Sequence, residues 1–127
     1  LMISQDFRKG LFIEVALTIT AACILITLMI PNYSGANRKA KIKTTKKKIQ
    51  AISYALEKYK INYGSYPSTL KRLKEQKQNI TAKLLRDSWN SKLHYLYPGN
   101  FNPNSFDLIS PGYDKVLYTK DDILNKS

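Results

Sequence analysis

The chain is poor in the residue types on which most enzyme active sites depend. Its 127 residues include one histidine, one cysteine and nine acidic residues, against 21 lysines and arginines. A single cysteine excludes an intramolecular disulfide, and the position of Cys23 inside an apolar run makes a catalytic pair with His94 implausible. The sequence contains no glycine-rich phosphate loop and no cysteine–histidine zinc motif. The composition therefore argues against an enzyme.

The chain does contain one long apolar run close to its N-terminus. Residues 11–30 carry a single charged side chain, that of Glu14. At ~1.5 Å per residue, such a run crosses a hydrocarbon core of about 30 Å. It is longer than the apolar core of a secretory signal, and no small-x-small cleavage site ends it, so it predicts a retained membrane helix. A glutamate in hydrocarbon costs a few kcal/mol, which predicts a role or a partner for Glu14.

The next part of the chain predicts an amphipathic helix that continues the first. Asn62, Gly64 and Pro67 form a helix stop, so we expect one helix over about residues 11–62. Pro31 predicts a kink or a short break within it. Its apolar face recurs at spacings of three, four and seven, at Ile42, Ile49, Ile52, Leu56, Tyr59 and Tyr63.

Short strands are expected in the C-terminal half. Residues 94–97, 105–110 and 116–118 have strand composition, and a segment rich in proline, glycine and asparagine separates the first two. The predicted fold class is α+β: a long N-terminal helix, membrane-spanning in its first half, packed on a small antiparallel β-sheet.

The charge balance favours anionic partners. The formal net charge is +12, and seven cations fall within residues 38–48. Lipid headgroups, nucleic acid and acidic proteins all fit such a charge, as does a solvated helix face beside a membrane. No aromatic residue interleaves with these cations, so stacking on nucleic-acid bases is not supported. Taken alone, the cations after the apolar run would place the C-terminal domain in the cytoplasm.

Three of the nine acidic residues cluster near the C-terminus, at Asp114, Asp121 and Asp122. Clustered carboxylates repel one another unless a cation lies among them, and hard oxygen donors suit Ca²⁺. The spacing is not that of an EF-hand loop. A solvated acidic turn, with Lys115 and Lys120 as counter-charges, is the alternative.

Several short motifs follow one another in an order that resembles a known family. They are Asn-x-Gly-x-Tyr-Pro at residues 62–67, Asp-x-Trp at 87–89 and Ser-x-Gly-x-Asp at 110–114. Together with the apolar helix and its early glutamate, they resemble the major pseudopilins of type II secretion systems, within the type IV pilin-like superfamily. The resemblance extends over about residues 9–125.

The resemblance implies roles for individual residues. A prepilin peptidase would cut after Gly10 and leave Leu11 as the mature N-terminus. Glu14 would then neutralise the amino terminus of a neighbouring subunit, because a buried ion pair is tolerated where a lone charge is not. The resemblance also implies a structural Ca²⁺ site formed by side chains of Ser110, Asp114, Asp121 and Asp122 and by carbonyl groups at Leu108 and Val116.

The implied protein is a structural subunit without enzymatic activity. Residues 1–10 would be a leader peptide, 11–35 a transmembrane and polymerisation helix, and 36–127 a periplasmic domain that includes the amphipathic helix half. The protein would be a single-pass component of the inner membrane. It would polymerise with itself and with minor pseudopilins into a periplasmic fibre that drives protein export across the outer membrane.

The implied partners are the prepilin peptidase, an inner-membrane assembly platform and a secretin, with a cytoplasmic ATPase supplying the work. Nucleic acid is not among them. Two other readings of the sequence stay open. One is a pilin-like subunit for DNA uptake or adhesion, and the other is an unrelated single-pass protein whose basic helix binds anionic lipid in the cytoplasm.

Overall fold

The computed structural model describes residues 4–76 and 80–125, with the side chains of residues 29–34 excepted. Residues 1–3 of the predicted leader lie outside the described residues. Contacts divide the chain into two units, Leu1–Asn37 and Arg38–Ser127. In chain order the elements are α1 (Gln5–Tyr63), α2 (Lys71–Glu75), β1 (His94–Leu96), β2 (Asp107–Ser110) and β3 (Ile123–Leu124).

Helix α1 begins earlier than the sequence predicted. Ser4 caps it, since its hydroxyl oxygen accepts the amide of Phe7 at 3.3 Å and its carbonyl accepts the amide of Arg8 at 3.2 Å. The predicted end is confirmed: Gly64 has a φ of 81° and its amide donates to the carbonyl of Lys60 at 2.7 Å.

The short break predicted as one alternative at Pro31 is wrong, because α1 is continuous through this residue, whereas a kink there stays a prediction. Proline removes one main-chain donor from the helix, and its ring crowds the carbonyl group one turn earlier. Membrane helices tolerate proline because neighbouring helices, hydroxyl side chains and local adjustments of the helix satisfy the freed carbonyl group.

The first unit contains a helical stretch suited to a membrane. Residues Gln5–Leu28 are long and apolar enough to cross a bilayer, with a mean hydropathy of 2.4. Their apolar side chains are exposed rather than buried. Its threonine hydroxyls are satisfied within the helix: Thr18 donates to the carbonyl of Val15 at 2.8 Å, and Thr27 to that of Ile24 at 2.8 Å. This leaves an apolar surface that suits lipid or another apolar helix.

The second unit has one apolar core. The predicted stripe on α1 is buried at Ile49, Ile52, Leu56 and Tyr59, whereas Tyr63 is 53% exposed. These side chains form one cluster with residues of the loops and the sheet, which include Tyr66, Leu73, Phe106, Leu108 and Ile123.

The three strands form an antiparallel sheet in the order β1-β2-β3. His94 pairs with Ile109 across the first ladder, and Ile109 pairs with Leu124 across the second. Central strand β2 is buried along its whole length. The predicted α+β fold, with a long helix and a small antiparallel sheet, is confirmed.

The predicted third strand at residues 116–118 is wrong, and β3 lies at Ile123–Leu124 instead. Carboxylates occupy the main-chain donors of that segment: Val116 donates to Asp114 Oδ1 at 2.9 Å, and Tyr118 to Asp122 Oδ2 at 2.7 Å. Tyr118 also has a φ of 67°, which no strand residue adopts. These amides therefore belong to a turn rather than to a ladder.

The surroundings of Tyr95 predict that the folded protein loses stability at alkaline pH. Its hydroxyl donates to the carbonyl of Pro67 at 2.7 Å, and burial, followed by the nearby Tyr97, Tyr66 and Tyr59, raises its pKa above the usual 10. The folded state thus favours the neutral phenol. This contribution is fully present below pH ~10 and is lost as the pH rises towards the folded pKa.

We expect the Tyr95→Phe variant to lose less stability than the wild type between pH ~9 and ~11, as measured by urea unfolding of the detergent-solubilised chain. At neutral pH it should be about 1 kcal/mol less stable, because the hydrogen bond to Pro67 is lost. Tyr118→Phe is the control, since Tyr118 is 67% exposed. If the stability of Tyr95→Phe falls as steeply with rising pH as that of the wild type, groups other than Tyr95 cause the pH dependence.

Candidate functional site

The predicted processing and assembly residues lie on α1 in the first unit. Gly10, Leu11 and Glu14 are all exposed there. A Cβ atom at Gly10 would meet nothing within 4 Å, so packing within the chain does not require glycine at this position. Glu14 shares its helix with exposed Ile13 and Val15, which places a carboxylate on an apolar surface.

The three clustered aspartates meet in the C-terminal loop, defined here as residues 111–122 between β2 and β3. The amide of Asp114 donates to Asp121 Oδ2 at 3.0 Å. The hydroxyl of Thr119 donates to Asp121 Oδ1 at 2.7 Å and lies 3.4 Å from Asp122 Oδ1. The loop therefore brings Asp114, Asp121 and Asp122 into one hydrogen-bonded turn.

The loop favours an ionised Asp121. The amide of Asp114 and then the hydroxyl of Thr119 lower the pKa of Asp121 to about 2. Its geometry depends on Gly112, which has a φ of 69° and lies so close to the main chain of Asp121 that any Cβ would overlap it. Lys115, with a φ of 60°, takes the second left-handed position.

Of the other three predicted cation ligands, two are held outside the C-terminal loop. The Ser110 hydroxyl is buried and donates to Asp87 Oδ2 at 2.7 Å. The Leu108 carbonyl accepts the amide of Asn125 at 3.0 Å, beside the β2–β3 ladder. Val116 is exposed in the loop, and its carbonyl accepts the hydroxyl of Thr119 at 3.2 Å.

The donor types fit a hard cation, although the aspartates do not converge on one point. Carboxylate and carbonyl oxygens are the ligands that Ca²⁺ prefers, and the loop offers both at its exposed surface. Within residues 4–76 and 80–125, no group of three or more histidine, cysteine or acidic side chains is close enough together to hold a metal ion.

Sequence reasoning missed a buried hub at Asp87. This carboxylate is 3% exposed and accepts the Ser110 hydroxyl at 2.7 Å and the amides of Trp89 at 2.9 Å and Ser91 at 2.8 Å. It joins the segment before β1 to the end of β2. The signal was present as the Asp-x-Trp motif, because an aspartate two residues before its amide donor is typical of an Asx turn.

The same segment is tied to α1. The amide of Ser88 donates to the hydroxyl oxygen of Thr45 at 3.1 Å, and Thr45 is completely buried. The Lys48 ammonium group donates to the carbonyl of Arg86 at 2.9 Å. Asp87 thus lies where the helix, the loop and the sheet meet.

The family model described as type II secretion system (T2SS), protein G, matches residues 32–126. The chain belongs to this family. The match covers most of the second unit, with its Asp87 hub and C-terminal loop, and the resemblance predicted from the short motifs is confirmed.

Relatives of this protein G family span nearly the whole chain. The type II secretion system core protein G of Escherichia coli (strain K12) is 27% identical over 139 positions, which cover 98% of this chain and 94% of the relative. That of Pseudomonas aeruginosa (PAO1) is 32% identical over 116 positions, with 80% of each chain covered. That of Aeromonas hydrophila is 31% identical over 127 positions, covering 89% of this chain and 87% of the relative.

A solved structure has the same fold. The crystal structure of the major pseudopilin from the type 2 secretion system of enterohaemorrhagic Escherichia coli matches with a TM-score of 0.58 and 27% identity. The match covers 75% of this chain and 94% of the solved one. The pilin-like architecture predicted for this chain is therefore that of a known secretion-system subunit.

Proposed function

We propose that this protein is a structural subunit of the type II secretion pseudopilus. It is held in the inner membrane by α1 and carries its second unit in the periplasm. The observation that carries the proposal is the combination, in one chain, of a protein G domain over residues 32–126 with an exposed membrane-length helix at Gln5–Leu28. Such a helix leaves its apolar surface available first to lipid and then to neighbouring subunits.

The energetics of assembly follow from the apolar surface of that helix. Phe12 is 70% exposed, Leu25 64% and Leu28 66%. In water, burying each such side chain would gain roughly 1.5–3 kcal/mol. Lipid tails are as apolar as these side chains, so moving the helix from lipid into a fibre gains little from burial. Extraction therefore needs external work, which the proposal assigns to a cytoplasmic ATPase.

Glu14 supplies the directional contact of the fibre. After cleavage following Gly10, the new amino terminus at Leu11 is a cation on an apolar helix. Glu14 of one subunit pairs with the amino terminus of the next, because either charge alone in an apolar interior is costly. The pairing fixes the register between subunits, which uncharged helices would set only weakly.

Each proposed partner acts at one step between processing of the chain and export. A prepilin peptidase processes the chain, minor pseudopilins join the fibre, and an inner-membrane platform and a secretin accommodate it. The proposed role is structural, and it uses neither Cys23 in the apolar helix nor His94 on edge strand β1 in a reaction.

Calcium is proposed as a structural ligand of the C-terminal loop. The residues that would hold it are Asp114, Asp121 and Asp122, once the loop brings their carboxylates closer together than the structure shows, with the Val116 carbonyl and solvent completing the set. When bound, Ca²⁺ would offset the mutual repulsion of the three carboxylates. Asp121 is ionised at any physiological pH, because the amide of Asp114 and the hydroxyl of Thr119 hold its pKa at about 2.

We expect millimolar Ca²⁺ to raise the melting temperature of the full chain in neutral detergent by several degrees, as followed by the fluorescence of Trp89, the one tryptophan. With a Kd of ~0.1 mM, a few millimolar Ca²⁺ adds about 2 kcal/mol. Mg²⁺ is the control, and Asp114→Ala should abolish the shift. An equal shift with Mg²⁺, or no shift with Ca²⁺, would contradict a specific Ca²⁺ site and favour an acidic turn that needs no metal.

The assembly proposal is tested by producing the chain together with the other components of its secretion system. We expect pilin-like fibres at the cell surface, recovered by shearing and seen by electron microscopy, with this chain as their main component. Fibres that form equally well without the chain would contradict the proposal.

A further inference from the structure

The exposed face of α1 in the second unit carries four lysines that we call the basic stripe: Lys39, Lys43, Lys46 and Lys47. All four are exposed. With 3.6 residues per turn, their spacing places them within an arc of about 100°. The buried residues of the same helix lie on the opposite side, against the core.

The remaining cations of the same segment are occupied by their own domain. The Arg38 guanidinium lies 5.0 Å from the centre of the Tyr113 ring. The Lys48 ammonium group donates to the carbonyl of Arg86 at 2.9 Å, and Lys41 is half-buried. In the part of the chain that the structure describes, no hydrogen bond involves the ammonium groups of the basic stripe. Their charge is therefore available to a partner.

Along α1 the charge around the basic stripe has one sign, although Asp121 and Asp122 line the same cavity as Lys46. Residues 38–60 contain nine lysines and arginines and one acidic residue, Glu57, and none of the acidic residues lies within 38–48. A face with this charge repels a second copy of itself. Its complement is a surface with closely spaced negative charges.

The position of the basic stripe in the chain favours a membrane as the negatively charged surface that it binds. The stripe begins at Lys39, eleven residues after Leu28 ends the membrane-length segment. Anionic lipid attracts cations placed just outside a membrane segment, and each lysine that reaches the surface strengthens binding roughly fivefold.

We propose that the basic stripe binds the headgroup phosphates of anionic phospholipids in the leaflet on the C-terminal side of the membrane. In the orientation proposed above, this is the periplasmic leaflet of the inner membrane. The contact holds the subunit at the surface and has to be broken when the subunit leaves the bilayer, so the anionic lipid content tunes extraction. The inference rests on membrane anchorage and is independent of fibre formation.

The first test places the full chain in nanodiscs of phosphatidylcholine, with or without phosphatidylglycerol, and measures lysine acetylation rates by mass spectrometry. We expect Lys39, the lysine of the basic stripe nearest to the membrane segment in the chain, to react at least fivefold more slowly in discs with phosphatidylglycerol, and the protection to decrease towards Lys47. Lys71, Lys74 and Lys83, which are exposed elsewhere on the second unit, are internal controls and should not change. NaCl at about 0.5 M should remove the protection. Equal rates in both kinds of disc would overturn the proposal.

The second test uses charge-matched variants of the full chain, purified from mixed-lipid membranes, with the retained lipids counted by native mass spectrometry. The variant K39Q/K43Q/K46Q/K47Q should lose its enrichment in phosphatidylglycerol over phosphatidylcholine. The control K71Q/R72Q/K74Q/K83Q removes the same charge from other exposed positions and should keep the enrichment. An equal loss of enrichment in both variants would show that net charge alone causes it, and it would overturn the proposal of a site at the basic stripe. Fibre assays on the same variants report separately on the secretion role.

Discussion

Replacing Asp87 with alanine is expected to lower the free energy of unfolding by roughly 3–5 kcal/mol, as measured by urea denaturation of the full chain. The carboxylate is 3% exposed and accepts three hydrogen bonds, from the hydroxyl of Ser110 and the amides of Trp89 and Ser91. Alanine leaves these donors without acceptors in a buried position. The penalty is large because each donor has lost its water as well as its partner.

Two further variants separate the hydrogen bonds from the charge. Asp87→Asn keeps the size and one acceptor oxygen, so it should cost less than Asp87→Ala. Asp114→Ala removes an exposed carboxylate from the same domain and should cost less than about 1 kcal/mol without Ca²⁺. A loss below about 1 kcal/mol for Asp87→Ala would mean that water reaches the three donors and that the hub is dispensable.

Replacing Glu14 with glutamine is expected to reduce the yield of sheared fibres by about 100-fold. An unpaired charge in an apolar interior costs about 3 kcal/mol, which corresponds to a factor of about 100 in an equilibrium constant. Glutamine has nearly the same shape and keeps the helix, but it cannot neutralise the amino terminus of a neighbour. The amount of chain in the membrane should stay the same, because the helix is more apolar after the change.

Thr18→Ala is the matched control for Glu14→Gln. Thr18 lies one turn further along α1, and its hydroxyl donates to the carbonyl of Val15 at 2.8 Å within the same helix. It is therefore not needed to pair with another subunit. Normal fibre yield in Glu14→Gln, or an equal loss in Thr18→Ala, would contradict the proposed role of Glu14.

The parts of the fold that depend on apolar periodicity could be predicted from the sequence. Ile49, Ile52 and Leu56 recur at helical spacing and are buried on one face of α1. The end of that helix at Gly64 followed from glycine's freedom to adopt positive φ. Local patterns of this kind need no knowledge of the rest of the chain.

Two of the errors arose where side chains compete with main-chain pairing. Val116 and Tyr118 have strand propensity, but carboxylates accept their amides and keep them out of the sheet. The start of α1 was set by a Ser4 cap, which lies outside the apolar pattern. In both cases polar hydrogen bonds overrode propensity.

The hub at Asp87 could not be predicted from spacing alone, because its partner Ser110 lies 23 residues away in the chain. Asp107 is a similar case. It is completely buried, and the amides of Phe101 and Asn102 donate to its two oxygens at 2.7 and 3.0 Å. Sequence alone gave no reason to separate these buried aspartates from the exposed ones of the C-terminal loop.

The central claim is that this chain is a structural subunit of the periplasmic fibre that drives protein export across the outer membrane. The most direct measurement is the amount of secretion substrate in the medium of a strain that lacks the chain, compared with the amount left in its periplasm. The account predicts that substrate accumulates in the periplasm, that the wild-type chain restores export and that Glu14→Gln does not. Normal export without the chain, combined with a loss of DNA uptake, would contradict the account and favour the DNA-uptake alternative.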